Sequence, residues 1–359
     1  MKFSLFYEMQ MSNDEPGTEA RTFHEALEQA VLADQLGFHC VWAVEHHGLY
    51  EYAHSSAPEI FLSFVAARTE RIRLGHGVTL TPHRFNHPMR IAERVATLDI
   101  LSGGRVNWGS GKSSSVVEAK TFGIPEEDLH GQWEEALEMV PAMWRNEVFE
   151  WSSDTYKIPP VHIVPKPVQK PLPPMFGPTA NPRSLQRVAE LGLGALNFSM
   201  ASFEDLKQKV DLYRSVHRAA PAPKNYAKNE HFCVTVNTCV LPDDDEACRH
   251  GFRGARFFRD SFAKYYFTDK RPPLGALEID RDPLSPMAHA IAKNSRFVAG
   301  NSHGLSIIGD PAIARDKVGM FKAAGVDELI LIVQLATIPG DVVQRGLRTF
   351  AEEVMPHFG

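Results

Sequence analysis

Residues 72–111 read IRLGHGVTLTPHRFNHPMRIAERVATLDILSGGRVNWGSG. The first ten, 72–81, form an apolar run of strand length rich in Leu, Val and Thr. Residues 88–101 then repeat apolar side chains at helical spacing, with Pro88 in the first turn and Ser102-Gly103-Gly104 as the stop; 105–109 returns to a strand pattern. A strand, a helix and a strand in this order predict one parallel βαβ unit.

The same unit recurs in both directions. Upstream, 2–7 and 40–44 predict strands followed by helices over 22–36 and 57–69. Downstream, a helix over 132–144 leads into strands at 175–177, 195–198, 232–241 and 328–333, with helices over 182–191, 203–219, 243–266 and 342–354. The proline-rich stretch 158–174 has the composition of a linker, yet the alternation resumes unchanged behind it. Eight strand–helix pairs are the number that closes a parallel barrel, so the expected class is α/β, a (β/α)8 TIM barrel. One domain over residues 1–359 is expected, with an insertion near strands 7–8 at approximately 268–308, where the alternation lapses. An open doubly wound sheet is the alternative, but no Gly-x-Gly-x-x-Gly turn follows the first strand.

Composition narrows the function. With 359 residues, 43% hydrophobic and 23% charged, the chain is globular in type. Lys plus Arg number 38 against 44 Asp plus Glu, a net charge of −6, which offers no footprint for nucleic acid. No apolar run approaches the roughly 20 residues of a membrane span, and no export signal pattern opens the chain. Four unevenly spaced cysteines fit neither a disulfide framework nor a paired zinc site, so a cytoplasmic protein is expected.

In such a barrel the reactive groups sit just past the strands. Gly109-Ser-Gly-Lys-Ser-Ser-Ser115 offers backbone N–H groups, hydroxyls and the Lys112 cation. Thr179-Ala-Asn-Pro-Arg-Ser184 opens a helix with Asn181 at the cap, whose free N–H groups and positive dipole end suit an anion. Together they predict one phosphorylated ligand; the spacing of Gly109 and Gly111 is not that of a nucleoside triphosphatase loop. Glu45-His46-His47 places an imidazole at the mouth as acid, base or hydrogen-bond donor. Adjacent strand-end residues point to opposite faces, so which histidine faces the mouth stays open. A metal site is not expected, because convergent ligands from several strands are missing.

Several stretches resemble the bacterial-luciferase-like flavin monooxygenases: Val44-Glu45-His46-His47, Leu74-Gly75-His76-Gly77-Val78-Thr79-Leu80, Asn86-His87-Pro88, Leu101-Ser102-Gly103-Gly104-Arg105, Ile308-Gly309-Asp310-Pro311 and Gly325-Val326-Asp327-Glu328-Leu329. The resemblance spans nearly the whole chain and is densest from His87 to Gly111. It implies reduced FMN delivered by a separate flavin reductase, activation of O2, and oxygenation of a small organic substrate. It further implies acid–base chemistry at His46, with His47 beside it, and a bulge at Gly77-Val78, often with a non-proline cis peptide, backing the flavin ring near His76. Phosphate contacts fall on Lys112, where the family carries arginine, and on Ala180, Asn181 and Ser184, with Arg183 able to restore the fork. The aromatic, basic stretch from Phe252 to Tyr266 suggests an apolar substrate under a cover. Relatives are commonly homodimers packed through helices near the start of the chain, and Ile60, Phe61, Phe64, Ile91, Val95 and Leu98 supply apolar side chains there. The alternatives are a deazaflavin-dependent hydride-transfer oxidoreductase on the same barrel and a non-catalytic flavin-binding relative.

Overall fold

The computed structural model describes residues 1–12, 15–113, 115–198, 202–266 and 305–359. Eight strands form the barrel: β1 (Lys2–Tyr7), β2 (Cys40–Ala43), β3 (Arg73–Leu80), β4 (Val106–Gly111), β7 (Met175–Thr179), β8 (Gly194–Asn197), β9 (Phe232–Val240) and β11 (Glu328–Ile332). All pair in parallel, and the β8–β9 ladder, Ala195 to Phe232 and Asn197 to Val234, closes the ring. Around it lie α1 (Thr18–Leu36), α2 (Pro58–Arg68), α3 (Pro88–Leu101), α5 (Glu126–Arg145), α6 (Pro182–Glu190), α7 (Phe203–Ala219), α8 (Asp244–Tyr266) and α10 (Gly340–Glu353). Helices cover the outer face while side chains fill the lumen, which is why β2, β4, β8 and β11 are buried throughout.

The period-two alternation of each strand decides what enters the lumen. Trp42 crosses it, edge-on to Phe176 at 5.0 Å between ring centres. Gly75 faces Trp42 so closely that a Cβ there would lie 2.3 Å from the indole, so no side chain fits. Below, the carboxylate of Glu328 accepts from Ser4 Oγ (2.6 Å), Trp42 Nε1 (3.0 Å) and His231 Nε2 (2.9 Å), a satisfied polar floor.

Three features lie outside the predicted alternation. A hairpin, β5 (Phe149–Ser152) with β6 (Lys157–Val161), runs into the proline-rich stretch, which is then tied to α3 where Asp99 accepts from the amides of Val168 (2.8 Å) and Gln169 (3.0 Å). The short α4 (Val116–Thr121) interrupts the expected polar loop. β10 (Ile307–Gly309) and α9 (Pro311–Ala323) form an extra strand–helix pair. β9 is long enough to pair β11 along Cys233–Asn237 and β10 along Thr238–Val240. The predicted insertion therefore overlaps regular structure at 307–308, and its stretch 268–304 lies outside the described residues. Among the described residues, no helix is long and apolar enough to cross a membrane.

Candidate active site

At the C-terminal end of the barrel the alternation continues past the strands. Ser4, Phe6 and Glu8 share one parity on β1, and Trp42, Val44 and His46 share it on β2, so Glu8 and His46 both emerge at the mouth. His46 Nδ1 lies 2.9 Å from Glu118 Oε1, and its Nε2 lies 3.8 Å from Glu8 Oε2 and 3.4 Å from the Tyr266 hydroxyl. Glu118 also accepts from the His47 amide (2.9 Å) and Ser113 Oγ (2.5 Å). Burial alone would lower the His46 pKa; the carboxylates of Glu118, Glu8 and Glu45 outweigh it and raise it to about 9. Glu118 shows the counterpart: burial raises its pKa, but the His46 charge and three donors bring it below the ordinary value.

His47 points elsewhere. Its ring stacks on Phe85 and its Nε2 lies 3.3 Å from Glu45 Oε1. Glu45 in turn accepts from the Leu80 amide (2.8 Å) and Asn86 Nδ2 (2.7 Å), fastening the β2 and β3 ends together. His87 caps α3, accepting from the Met89 amide, and His83 reaches Gln132 Oε1 at 2.8 Å. His76 departs from the expectation that it lies beside the flavin ring. Gly75 and Gly77 on either side of it face Trp42 in the lumen, so alternation turns His76 outward, where Glu59 and Arg94 of α2 and α3 are its charged neighbours. Burial there lowers its pKa to about 4, a neutral imidazole under the helices.

The β3 bulge lies between His76 and Thr79, and the Gly77–Val78 peptide is cis. Next to it the lumen-facing positions of the two strands are glycines: a Cβ on Gly77 would meet Phe6 and Trp42, and one on Gly111 would lie 2.5 Å from Val78. The Val78 side chain fills the space that side chains on Gly109 and Gly111 would need, its methyl groups lying 3.1 Å and 2.5 Å from those Cβ positions.

A cleft of about 850 Å³ is lined by Gly111, Lys112, Pro178, Asn181, Arg183, Ser184 and Glu126, among others. Burial lowers the Lys112 pKa, with Glu126 acting against it. Neither Lys112 nor Arg183 makes an ion pair within 4.0 Å among the described residues, whereas Arg187 of the same helix is held by Glu134 at 2.6 Å. The α6 N-terminus differs from expectation in one respect. Asn181 and Ser184 form a capping box, and the amides of Ala180, Asn181 and Ser184 all donate within it, each at 3.0–3.1 Å. The two side-chain cations, more than free helix amides, make this end of the cleft suited to an anion. The chemistry of these residues fits a phosphorylated flavin, the two cations being suited to its dianion.

Aromatic side chains cover the mouth. Phe258 and Phe262 of α8 stack on Phe198, and Tyr52 meets Phe258, Phe262 and Tyr266 at 5.4–5.7 Å. Lys264 and Tyr265 both bind the buried carboxylate of Glu51. Glu8, Glu118 and Tyr52 are absent from the sequence-based set. Glu8 stands one residue past the apolar run that ends at Tyr7, and the period-two parity of β1 is the signal that places it inward.

The family model described as luciferase-like monooxygenase matches residues 1–328. The oxygenase component of the flavin-dependent trigonelline monooxygenase of Acinetobacter baylyi is 23% identical over 362 residues, 100% of this chain and 96% of that protein. Among solved structures, the monooxygenase RslO1 from Streptomyces bottropensis has a TM-score of 0.82 at 26% identity, covering 100% of both chains. The oxygenating constituent of 3,6-diketocamphane monooxygenase from Pseudomonas putida, solved in complex with FMN, shares the fold, with a TM-score of 0.73 at 18% identity over 99% of this chain and 98% of that one. With nearly its whole length matched, this chain belongs to the luciferase-like monooxygenase family and is an enzyme, a monooxygenase on a closed (β/α)8 barrel.

Proposed function

We propose that the chain is the oxygenase component of a two-component system: it takes reduced FMN from a separate flavin reductase and uses O2 to oxygenate a small, apolar organic substrate in the cytoplasm. The observation that carries this reading is a cation-lined cleft, Lys112 and Arg183, joined to the buried His46 through the next residue, Ser113, which donates to the Glu118 carboxylate that holds the His46 ring. FMN, once bound and reduced, supplies the electrons that activate O2. Lys112 and Arg183 would hold its phosphate, Asn181 and Ser184 fix the first turn of the helix that carries Arg183, and the Gly77-Val78 bulge would back the ring. His46, protonated between Glu118 and Glu8, donates a proton at Nε2. Phe198, Phe258, Phe262 and Tyr52 exclude water from the mouth and favour an apolar substrate.

The partner expected for assembly is a second copy. Ile60 and Phe64 of α2 are 60% and 61% exposed, and Val164 lies beside them across a shared groove. Phe61, Ile91, Val95 and Leu98 are instead buried in the chain's own core, so only part of the predicted apolar set is free to form an interface. We read the chain as one domain over 1–359.

Lys112→Ala tests the phosphate assignment. Losing one charge-assisted contact of about 1.5–3 kcal/mol weakens reduced FMN binding by roughly 10- to 100-fold. Riboflavin, which lacks the phosphate, is expected to bind both proteins alike. Equal losses for the two ligands would remove Lys112 from the phosphate site.

A further inference from the structure

Glu8 is buried at 3% exposure, and its two oxygens have different surroundings. Oε1 accepts from the Tyr52 hydroxyl at 2.8 Å, while Oε2 has no hydrogen-bond partner and faces His46 Nε2 across 3.8 Å. An orphaned carboxylate oxygen in a closed core is costly and calls for a reason. The other nitrogen of the same imidazole is already taken by Glu118 at 2.9 Å. His46 thus stands between two buried carboxylates, one bound closely and one held just beyond contact, a separation of the kind that closes when a site fills.

We propose that Glu8 is the proton reservoir of the mouth, a positioning residue acting through His46: Oε2 of Glu8 returns a proton to Nε2 each time His46 has given one up. The inference rests on the functional reading above, in which His46 is the donor. In the first step the Nε2–H bond breaks and the proton passes to an oxygen in the mouth. In the second the Glu8 O–H bond breaks and the Nε2–H bond forms again, leaving Glu8 as a carboxylate that solvent reprotonates between turnovers. No electrons move, and Glu118 keeps Nδ1 protonated throughout.

The surroundings of Glu8 give each carboxyl its part. Burial, the larger influence, raises its pKa to about 7; His46 and the Tyr52 hydroxyl act downward and the Glu118 charge upward. The groups facing this pair are His46, Tyr52 and Glu45 from the segment after β2, Glu118 from α4 and Tyr266 from α8. His46, raised to about 9, stays an imidazolium through the neutral range, so the group of the mouth that changes protonation there is Glu8. Two carboxylates flanking one imidazole, one far below and one near neutrality, divide the roles of anchor and reservoir.

The test begins without flavin, so its outcome does not depend on FMN binding. Infrared difference spectra of ¹³C-Glu-labelled protein between acid and alkaline pH should show a protonated carboxyl band titrating near pH 7, absent in Glu8→Gln; imidazole NMR should show His46 protonated across the same range. Tyr52→Phe, which removes a donor from the charged form, should move the band's midpoint upward and keeps a carboxyl in place should Glu8→Gln fold poorly. With reduced FMN bound, the neutral inflection in the pH profile of single-turnover oxygenation should disappear in Glu8→Gln, whereas a purely structural role would lower the rate and leave the inflection. A band that persists in Glu8→Gln, or a His46 ring that titrates near neutrality, would overturn the proposal. Failure of FMN to bind with the band intact would sink the flavin reading and leave the proton reservoir standing.

Discussion

Glu8 and Glu328 occupy opposite ends of one lumen and show how surroundings set a carboxyl. Burial raises both; at Glu328 the hydrogen bond and charge of His231, the His39 ring and the Ser4 hydroxyl outweigh it and lower the pKa from 4.5 to about 2. Its stabilising contribution is therefore complete above about pH 4.5 and is lost as pH falls through about 2, an amount on the order of 3 kcal/mol. Glu328→Gln should cost stability at neutral pH and flatten the acid limb of the denaturation curve between those values; an unchanged acid limb would show that the floor is not held by this charge. At this scale the sequence was partly legible. A histidine at the end of β2 is visible because the strand stops there. Glu8 and Glu118 were not, since one lies a residue beyond an apolar run and the other becomes a ligand of His46 only through the turn made by α4. His76 was misplaced although the signal was present: it sits between Gly75 and Gly77, and parity alone turns it outward.

Among the elements, α8 has the most influence on the mouth, because its position sets Phe258, Phe262, Tyr265 and Tyr266. It comes close to the barrel through glycines: a Cβ on Gly251 would lie 2.6 Å from Ile308, and one on Gly254 would lie 2.7 Å from Leu335 Cβ. Gly254→Val should push the helix outward, with an overpacking cost of about 1–3 kcal/mol, and release more H2O2 per O2 consumed as water reaches the mouth. Unchanged coupling alongside lowered stability would mean that α8 does not seal the site. Most helices were legible from periodicity, and 88–101 and 203–219 match their predicted bounds. α5 begins at Glu126, six residues before its apolar repeat, because its first turn is Glu126, Glu127 and Asp128, which face solvent and favour a helix N-terminus. β5, β6 and α4 are too short for a periodic pattern to stand out. α9 carried a readable start in Asp310-Pro311, whose Asp310 side chain accepts from the Ile313 amide at 2.9 Å.

For the molecule as a whole, eight recurring strand–helix units made the barrel readable, since each repeats a local pattern and closure follows from their number. What repetition does not encode is where the chain departs from it, and β10 with α9 is such a departure. The proposed second copy would meet the face on which Ile60, Phe64 and Val164 group. Ile60→Lys with Phe64→Lys should convert a dimer of the 40.1 kDa chain into monomers by light scattering after size exclusion, without lowering the intrinsic stability of the barrel. A wild-type chain that is already monomeric would contradict the proposed partner.

The most direct measurement is an anaerobic titration of the protein with reduced FMN, set beside one with a reduced deazaflavin, followed by admission of O2 in the presence of a panel of apolar substrates. Saturable binding of reduced FMN, then transfer of one ¹⁸O atom from ¹⁸O2 into a product, is the predicted result. Preference for the deazaflavin with hydride transfer and no oxygen incorporation, or binding of neither, would contradict the account.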